Sequence, residues 1–270
     1  MSAPTAETLG ESLRPLTDDP ERAAIFCDID GTLAPIVRRP EDAHVRDEIS
    51  LLLSRLGRRY ACVACVTGRP VAEARRLVGV GGIAYAGTHG AELLRAGEQK
   101  PTLAPAFASW EGRVREFVRA RENVRELKLL RIRIEDKGPI KAFHWRGVPD
   151  EAGAESWLGN VAAEAEAEGL ATHWGRKVLE IRPPVPIDKG QAVRTLVEES
   201  RVRAALFAGD DVTDLDAFDA LDVLRDGGTL DSAVRVGVRS AEGPPAIVER
   251  ADVVVDGVRG MVDVLAALAE

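Results

Sequence analysis

Two carboxylates stand two residues apart, Asp28 and Asp30, and a Gly31-Thr32 turn follows them directly. The apolar run before them, residues 23–27, predicts a buried strand. Carboxylates gathered at the end of a buried strand are costly unless something compensates their charge. A divalent cation would remove that cost, and one carboxylate would then be able to act as a nucleophile. The stretch therefore predicts cation-dependent chemistry on an acidic side chain.

Two basic or hydroxyl-bearing segments suit a phosphate group. Val66-Thr67-Gly68-Arg69 closes a second predicted strand, where a hydroxyl and backbone N–H groups can hold phosphate oxygens. The alternative is that Thr67 only caps the following helix. Lys189 precedes a predicted helix and can neutralise a transferring phosphoryl group, although a lone lysine there would be read as a solvated surface residue.

A third acidic segment, Gly209-Asp210-Asp211-Val212-Thr213-Asp214, follows the predicted strand 204–208. Helix capping explains one of its three aspartates but not all of them. Hard oxygen ligands beside a phosphate point to Mg²⁺. With Mg²⁺ and a lysine offsetting the charge of a phosphate monoester, Asp28 can attack phosphorus and form an aspartyl phosphate. Asp30 can then serve as proton donor and later as acceptor.

Strand and helix patterns alternate before and after a different central stretch. The first part predicts strands at 23–27, 61–66 and 82–86 with helices at 45–56 and 70–78, an order typical of a parallel sheet. Ligands of such sheets lie beyond the carboxyl ends of the strands. The central stretch predicts helices at 107–123 and 151–168 and hairpins from strands 129–135 with 140–146 and 172–174 with 177–182.

We therefore predict an α/β fold, a Rossmann-like core with a parallel sheet and an inserted, smaller α+β cap domain. The expected bounds are 23–103 and 185–270 for the core and 104–184 for the cap. Linkers at Pro101–Pro105 and Pro183–Pro186 separate them. Residues 1–22 are expected to form a loose N-terminal arm with at most one short helix.

Composition excludes several classes of protein. The chain has 270 residues, a net charge of −8 and 4% aromatic residues, which disfavours nucleic-acid binding and base stacking. It has no apolar run of about 18 residues, so no membrane association is expected. Cys62 and Cys65 lie on a predicted strand, where residues three apart face opposite ways, so packing is preferred to a metal or redox role. Reduced thiols predict a cytoplasmic location.

The DxDGTL, hydrophobic-TGR, K-G and GDDxTD segments occur in the order found in the haloacid dehalogenase-like phosphatase superfamily, which the chain resembles. The resemblance implies that Asp28 is the nucleophile and Asp30 the acid and base, with Thr67 and Lys189 on the phosphoryl oxygens. It also implies a Mg²⁺ ion. Its ligands would be Asp28, the Asp30 carbonyl and Asp210, with Asp211 and Asp214 close by.

Within that superfamily, further segments resemble the trehalose-6-phosphate phosphatase family. They are Gly87-Thr88-His89-Gly90-Ala91-Glu92, Glu135-Asp136-Lys137-Gly138 with His144-Trp145-Arg146, and the stretch from Gly175 to Pro183. The resemblance implies glucose contacts from Glu92, Glu135, Lys137, His144 and Glu180. We also count Arg69, His89 and Arg146 as candidate substrate-binding residues; a surface position is the alternative for His89.

The function implied is hydrolysis of trehalose 6-phosphate, a small sugar phosphate, with a functional link to a trehalose-6-phosphate synthase. The core segments alone do not separate this substrate from sucrose phosphate or mannosyl-3-phosphoglycerate. A phosphomutase and a non-catalytic sugar-phosphate sensor are the alternatives from other classes. Five intact residues, Asp28, Asp30, Thr67, Lys189 and Asp210, disfavour a sensor, because sensing does not require all of them.

Overall fold

The computed structural model describes residues 6–37, 42–175, 177–185, 188–240 and 243–270. Its strands are β1 (Ala23–Cys27), β2 (Cys62–Val66), β3 (Ala84–Gly87), β4 (Glu92–Leu94), β5 (Thr102–Leu103), β6 (Arg133–Lys137), β7 (Ile140–His144), β8 (Ala171–Gly175), β9 (Val178–Arg182), β10 (Ala204–Gly209), β11 (Ser232–Arg239) and β12 (Val253–Asp256). Its helices are α1 (Ala6–Thr17), α2 (Asp47–Arg59), α3 (Val71–Val78), α4 (Pro105–Glu122), α5 (Arg125–Leu129), α6 (Glu151–Ala167), α7 (Lys189–Ser200), α8 (Leu215–Asp226), α9 (Pro245–Arg250) and α10 (Gly257–Ala269).

The chain divides into two units, one formed by Met1–Thr102 with Ile187–Glu270 and the other by Leu103–Pro186. We call them the core unit and the inserted unit. Arg176, between the two strands of a predicted hairpin, and Pro186, in a predicted linker, lie outside the described residues.

The core unit is built on an eight-stranded sheet in the order β12-β11-β10-β1-β2-β3-β4-β5. The strands from β12 to β3 pair in parallel, and β4 is antiparallel to β3. The order runs outward from β1 through β2 on one side and through β10 on the other. The β1–β10 boundary is therefore a topological switch point, where open α/β sheets bind their ligands. The predicted α/β fold with a parallel sheet is confirmed.

Apolar clusters cover both faces of this sheet. Ile25 and Cys65 contribute to the cluster that includes residues of α1, α2, α3 and α10, whereas Phe26 and Phe207 contribute to the cluster with α7 and α8. A strand buried on both faces must be apolar at every position, as β1 is. Such burial fixes the strand end from which the first acidic pair emerges.

The cysteines behave as their spacing predicts. Cys65 is buried in the first cluster and Cys62 packs against the second, on the opposite face of β2. Both are free thiols, as is Cys27. Among the described residues, no helix is long and apolar enough to cross a membrane.

The N-terminal segment differs from the loose arm predicted from its composition. Residues 6–17 form α1, and Leu9, Leu13 and Leu16 are buried in the first apolar cluster. These leucines are separated by four and then three residues, a spacing that places them on one face of the helix. This apolar stripe packs in the core unit. Polar residues between them concealed that stripe.

The inserted unit has a four-stranded antiparallel sheet in the order β6-β7-β9-β8. Its apolar face, with Phe143, Leu179 and Ile181 fully buried, packs with side chains of α4 and α6. One prediction is wrong: residues 129–132 are not part of a strand. Leu129 ends α5, Arg131 is in the left-handed region (φ +54°), and β6 begins at Arg133. Although the polarity of these residues alternates, the segment forms helix-type hydrogen bonds, such as that from Leu130 N–H to the Glu126 carbonyl (2.9 Å).

Candidate active site

Asp28 lies at the carboxyl end of β1, beside β10. Its backbone N–H donates to the Ala208 carbonyl (2.9 Å), which extends the strand pairing by one residue. The chain then turns back, because the Ile29 carbonyl accepts from the N–H groups of residues 32–34. The turn leaves Asp28 buried at the switch point of the sheet, with 4% of the residue exposed.

Gly31 allows the acidic segment after β10 to approach this turn closely. Gly31 has a φ of +91°, and a Cβ atom there would overlap the Asp210 carboxylate. The Thr32 hydroxyl donates to Asp210 Oδ1 (3.3 Å). The Gly-Thr pair after the two aspartates thus joins the first acidic segment to the third.

The three aspartates after β10 have different surroundings. Asp214 is fully buried, and its Oδ2 accepts from the backbone N–H groups of Asp210 (2.9 Å) and Asp211 (3.0 Å). Asp211 is exposed, and its Oδ1 accepts from Val212 N–H (2.7 Å) at the start of a 3₁₀ turn. Helix capping therefore accounts for Asp211, whereas Asp210 and Asp214 are buried acids.

Lys189 is buried, so the interpretation as a solvated lysine is wrong. It is the first residue of α7, is 3% exposed, and its Nζ donates to Asp28 Oδ1 (2.6 Å) and to Asp214 Oδ1 (2.6 Å). Because Gly190 has no side chain, α7 can approach α8 closely here; a Cβ at this position would overlap the Asp216 carbonyl of α8. The Lys-Gly pair thus brings the ammonium group between two buried carboxylates.

Negative charge exceeds positive charge in this cluster. Oxygens of Asp28, Asp210 and Asp214 lie within 4.8 Å of one another, and Lys189 contacts two of the three. Burial raises the pKa of Asp28, although Lys189 opposes the shift. Burial and then the charge of Asp214 raise the pKa of Asp210 to about 7. Burial alone would lower the pKa of Lys189, but the charges of Asp28 and Asp214 raise it above its ordinary value.

A divalent cation fits these residues. Buried carboxylate oxygens without enough positive charge are a donor set that hard cations such as Mg²⁺ and Ca²⁺ prefer. A bound cation would offset both the burial and the mutual repulsion that raise the carboxyl pKa values. The acidic cluster can therefore hold a divalent metal ion.

The loop after β2 is fixed by hydrogen bonds from two sides. Thr67 is buried, its N–H donates to the Ala86 carbonyl (2.9 Å), and its Oγ1 accepts from Arg69 N–H (3.2 Å). Pro70, not Thr67, is at the N-cap of α3. The capping alternative for Thr67 is therefore wrong, and its hydroxyl hydrogen is not used in the bond with Arg69.

The loop after β3 holds His89 against this turn. Thr88 and His89 are both in the left-handed region (φ +50° and +56°), which is uncommon for residues other than glycine. A Cβ at Gly68 would lie 2.8 Å from the His89 ring, so the imidazole packs on the Gly68 backbone. Glu92 follows, and its Oε2 accepts from Val71 N–H (2.9 Å) at the first turn of α3.

Asp30 and Arg69 form a two-pronged ion pair. Arg69 Nε donates to Asp30 Oδ2 (2.6 Å) and Nη2 donates to Asp30 Oδ1 (2.7 Å). A third donor, Nη1, bonds to Glu73 Oε1 on the first turn of α3. The Asp30 side chain is thus directed toward Arg69, apart from the buried group of Asp28, Asp210 and Asp214.

The inserted unit carries a separate group of charged residues on the polar face of its sheet. Glu135 pairs in register with Ala142, and Ala142 with Glu180, so one small residue separates two carboxylates. His144 Nε2 lies 2.7 Å from Glu135 Oε2, and Lys137 Nζ lies 3.1 Å from Glu180 Oε1. The predicted substrate contacts of this unit therefore form one group, except Arg146, which is exposed beyond the end of β7.

Comparison with known proteins assigns the family, because residues 26–245 match the trehalose-phosphatase family. The chain belongs to the trehalose-phosphatase family. This is a family of phosphoric monoester hydrolases, and the resemblance found in the sequence is confirmed.

Three related proteins show how far the likeness extends. A trehalose-phosphate phosphatase of Mycolicibacterium paratuberculosis is 34% identical over 213 residues, which cover 73% of this chain and 51% of that protein. An uncharacterized glycosyl hydrolase of Mycobacterium tuberculosis is 35% identical over 207 residues, covering 74% of this chain and 15% of the other. The chain thus spans about half or less of these curated relatives. The crystal structure of a trehalose-6-phosphate phosphatase related protein is 27% identical, with a TM-score of 0.64 and coverage of 91% and 96%.

Several residues that support this candidate site were not assigned to it from the sequence. Thr32, Glu73 and Asp188 each fix a site residue or its helix; Asp188 Oδ1 caps α7 through Gln191 N–H (2.7 Å). Glu73 stands four residues after Arg69 at a helix start, a spacing that would have suggested the contact. Asp188 precedes a predicted helix, which is a typical capping position.

Proposed function

We propose that this chain hydrolyses trehalose 6-phosphate to trehalose and phosphate, with Mg²⁺ bound and through an aspartyl phosphate on Asp28. The observation that carries the proposal is the buried group of Asp28, Asp210, Asp214 and Lys189 at the switch point of the sheet. Membership of the trehalose-phosphatase family supports the substrate class.

In the first half of the reaction, an Asp28 carboxylate oxygen attacks phosphorus. The bond between phosphorus and the sugar oxygen breaks, and Asp30 gives a proton to that leaving oxygen. Lys189 holds Asp28 in place and offsets charge on the phosphoryl group, and the Thr67 hydroxyl hydrogen is available to a phosphoryl oxygen. Burial of Asp28 supports this role, because a poorly hydrated carboxylate loses little solvation when it attacks.

In the second half, water attacks phosphorus of the aspartyl phosphate and Asp30 takes a proton from that water. The bond from phosphorus to the Asp28 oxygen breaks, which restores the Asp28 carboxylate and releases phosphate. Asp28, Asp210 and the Asp30 carbonyl are the proposed Mg²⁺ ligands, with Asp211 and Asp214 nearby. The chemistry that bound Mg²⁺ supplies is neutralisation of charge on the phosphoryl oxygens.

The inserted unit is proposed to act as a cap that selects the sugar. A polar sheet face with carboxylates, a lysine and a histidine around a small residue offers donors and acceptors for dense hydroxyl groups. The proposed contacts are Glu92, Glu135, Lys137, His144, Arg146 and Glu180, with His89 near the phosphate loop. Three free thiols support a cytoplasmic location. A trehalose-6-phosphate synthase would supply the substrate.

The test is phosphate release from a panel of sugar phosphates with Mg²⁺ present. The panel holds trehalose 6-phosphate, sucrose phosphate, mannosyl-3-phosphoglycerate and glucose 6-phosphate. We expect kcat/KM for trehalose 6-phosphate to exceed the others by at least about tenfold, which corresponds to one or two extra charged hydrogen bonds. Preference for another sugar phosphate of the panel overturns the proposed substrate. Return of the phosphoryl group to a sugar would indicate a phosphomutase, and binding of a sugar phosphate without phosphate release would indicate a sensor.

A further inference from the structure

The Arg69 guanidinium holds both oxygens of Asp30. Nε and Nη2 donate to the two carboxylate oxygens at 2.6 and 2.7 Å, the parallel two-bond geometry that fixes the plane of a carboxylate. A carboxylate has about four lone-pair positions, of which this pair uses two. Asp30 is therefore held in one orientation while it can still accept from another group.

Arg69 is itself held by further hydrogen bonds. Its side chain bonds to Glu73, its backbone N–H donates to Thr67 Oγ1 (3.2 Å), and its carbonyl accepts from Thr88 N–H (2.9 Å). Glu73 is on the first turn of α3, so the anchor belongs to a helix and not to a loop. A fixed anchor makes the orientation of Asp30 reproducible from one catalytic cycle to the next.

Exposure distinguishes the two partners. The Arg69 side chain is 11% exposed, whereas that of Asp30 is 36% exposed. A nearly buried guanidinium group thus supports a carboxylate that solvent and a ligand can reach. A pair that served stability alone would not leave the functional carboxylate as its more accessible member.

We propose that Arg69 is a positioning residue for Asp30, with Glu73 securing Arg69, and that Arg69 does not contact the sugar. The inference rests on the proposed function, in which Asp30 accepts a proton from the water that hydrolyses the aspartyl phosphate. In the pair both Asp30 carboxylate oxygens act as hydrogen-bond acceptors. As water attacks phosphorus, its proton moves to Asp30 and the bond from phosphorus to Asp28 breaks.

Kinetics with p-nitrophenyl phosphate test this role, because p-nitrophenolate leaves without a proton. Formation of the aspartyl phosphate, reported by kcat/KM, then does not depend on Asp30, whereas its hydrolysis does. In Arg69→Gln we expect kcat to fall by about tenfold or more, within the range that acid–base groups contribute. We expect kcat/KM to stay within about twofold and one equivalent of p-nitrophenol to appear as a burst.

Glu73→Gln should show the same split more weakly, and it decides the question if Arg69→Gln does not fold. Arg76→Gln is the matched control, because it removes the same charge from an exposed position of α3 and should change neither constant. Equal loss of kcat and kcat/KM, or no loss in either constant, overturns the positioning role. A wild-type protein that cleaves no phosphate monoester overturns the proposed function and this role together. Wild-type cleavage of p-nitrophenyl phosphate but not trehalose 6-phosphate overturns the substrate alone.

Discussion

Replacing Lys189 by methionine should destabilise the core unit far more than a typical lysine substitution. The Lys189 side chain is 3% exposed and bridges Asp28 and Asp214, which are 5% and 0% exposed. Methionine keeps much of the volume but leaves both carboxylates without their cation. Removing one partner of a buried ion pair costs about 3–5 kcal/mol, and a second uncompensated carboxylate places the expectation at the upper end.

Thermal unfolding of chelator-treated protein measures this effect. In domains of 150–250 residues, 1 kcal/mol shifts Tm by roughly 2–4 °C, so a cost of about 5 kcal/mol should lower the Tm of the core unit by roughly 10–20 °C. Lys141→Met is the matched control. Lys141 is also nearly buried, but its partner Asp136 is 71% exposed, so the stranded carboxylate remains hydrated and the cost should be about 1 kcal/mol or less. The reasoning is refuted if the two variants lose the same stability.

Four further outcomes are expected. Asp28→Asn should lower phosphate release by more than about 10³-fold without changing the melting temperature by more than a few degrees; near-wild-type turnover would contradict its role. Chelation should abolish activity and Mg²⁺ should restore it, whereas a chelator-insensitive enzyme would exclude the metal. Glu180→Ala should lower kcat/KM about 10–100-fold for trehalose 6-phosphate but not for p-nitrophenyl phosphate, and equal losses would rule out a sugar contact. Burial would raise the pKa of Asp252, but hydrogen bonds from Arg235 lower this pKa below 3.8. The stability that ionised Asp252 contributes is therefore lost as pH falls through its folded pKa. On acid titration, Asp252→Asn should lose less stability than the wild-type protein.

The acidic pair and the phosphate loop were predictable because each lies at the end of a fully apolar strand. Parallel pairing of such strands brings their carboxyl ends to one edge, so Asp28, Thr67 and Asp210 followed from local patterns alone. The burial of Lys189 did not, because nothing near it in the chain shows that two carboxylates from distant segments surround it. The contact is a property of the assembled sheet.

Errors arose where a local pattern has two solutions. Residues 129–135 alternate in polarity as a strand would, yet Leu129 is the last residue of α5. Burial of Leu127 and the helix-type bond from Leu130 N–H to the Glu126 carbonyl favour the helix. The deciding partner is a backbone group, which a residue pattern does not reveal.

The order of the segments also matters for how the protein is made. Lys189 follows Asp28 by 161 residues, and the whole inserted unit is synthesised between them. At about 5–20 residues per second, a nascent chain would wait roughly 10–30 s before the counter-charge emerges from the ribosome. During that interval β1 lacks its neighbour β10 and an edge of the central sheet stays open. Fragments that stop before α7 should therefore be prone to aggregation, while the inserted unit has its own sheet and apolar cluster by then.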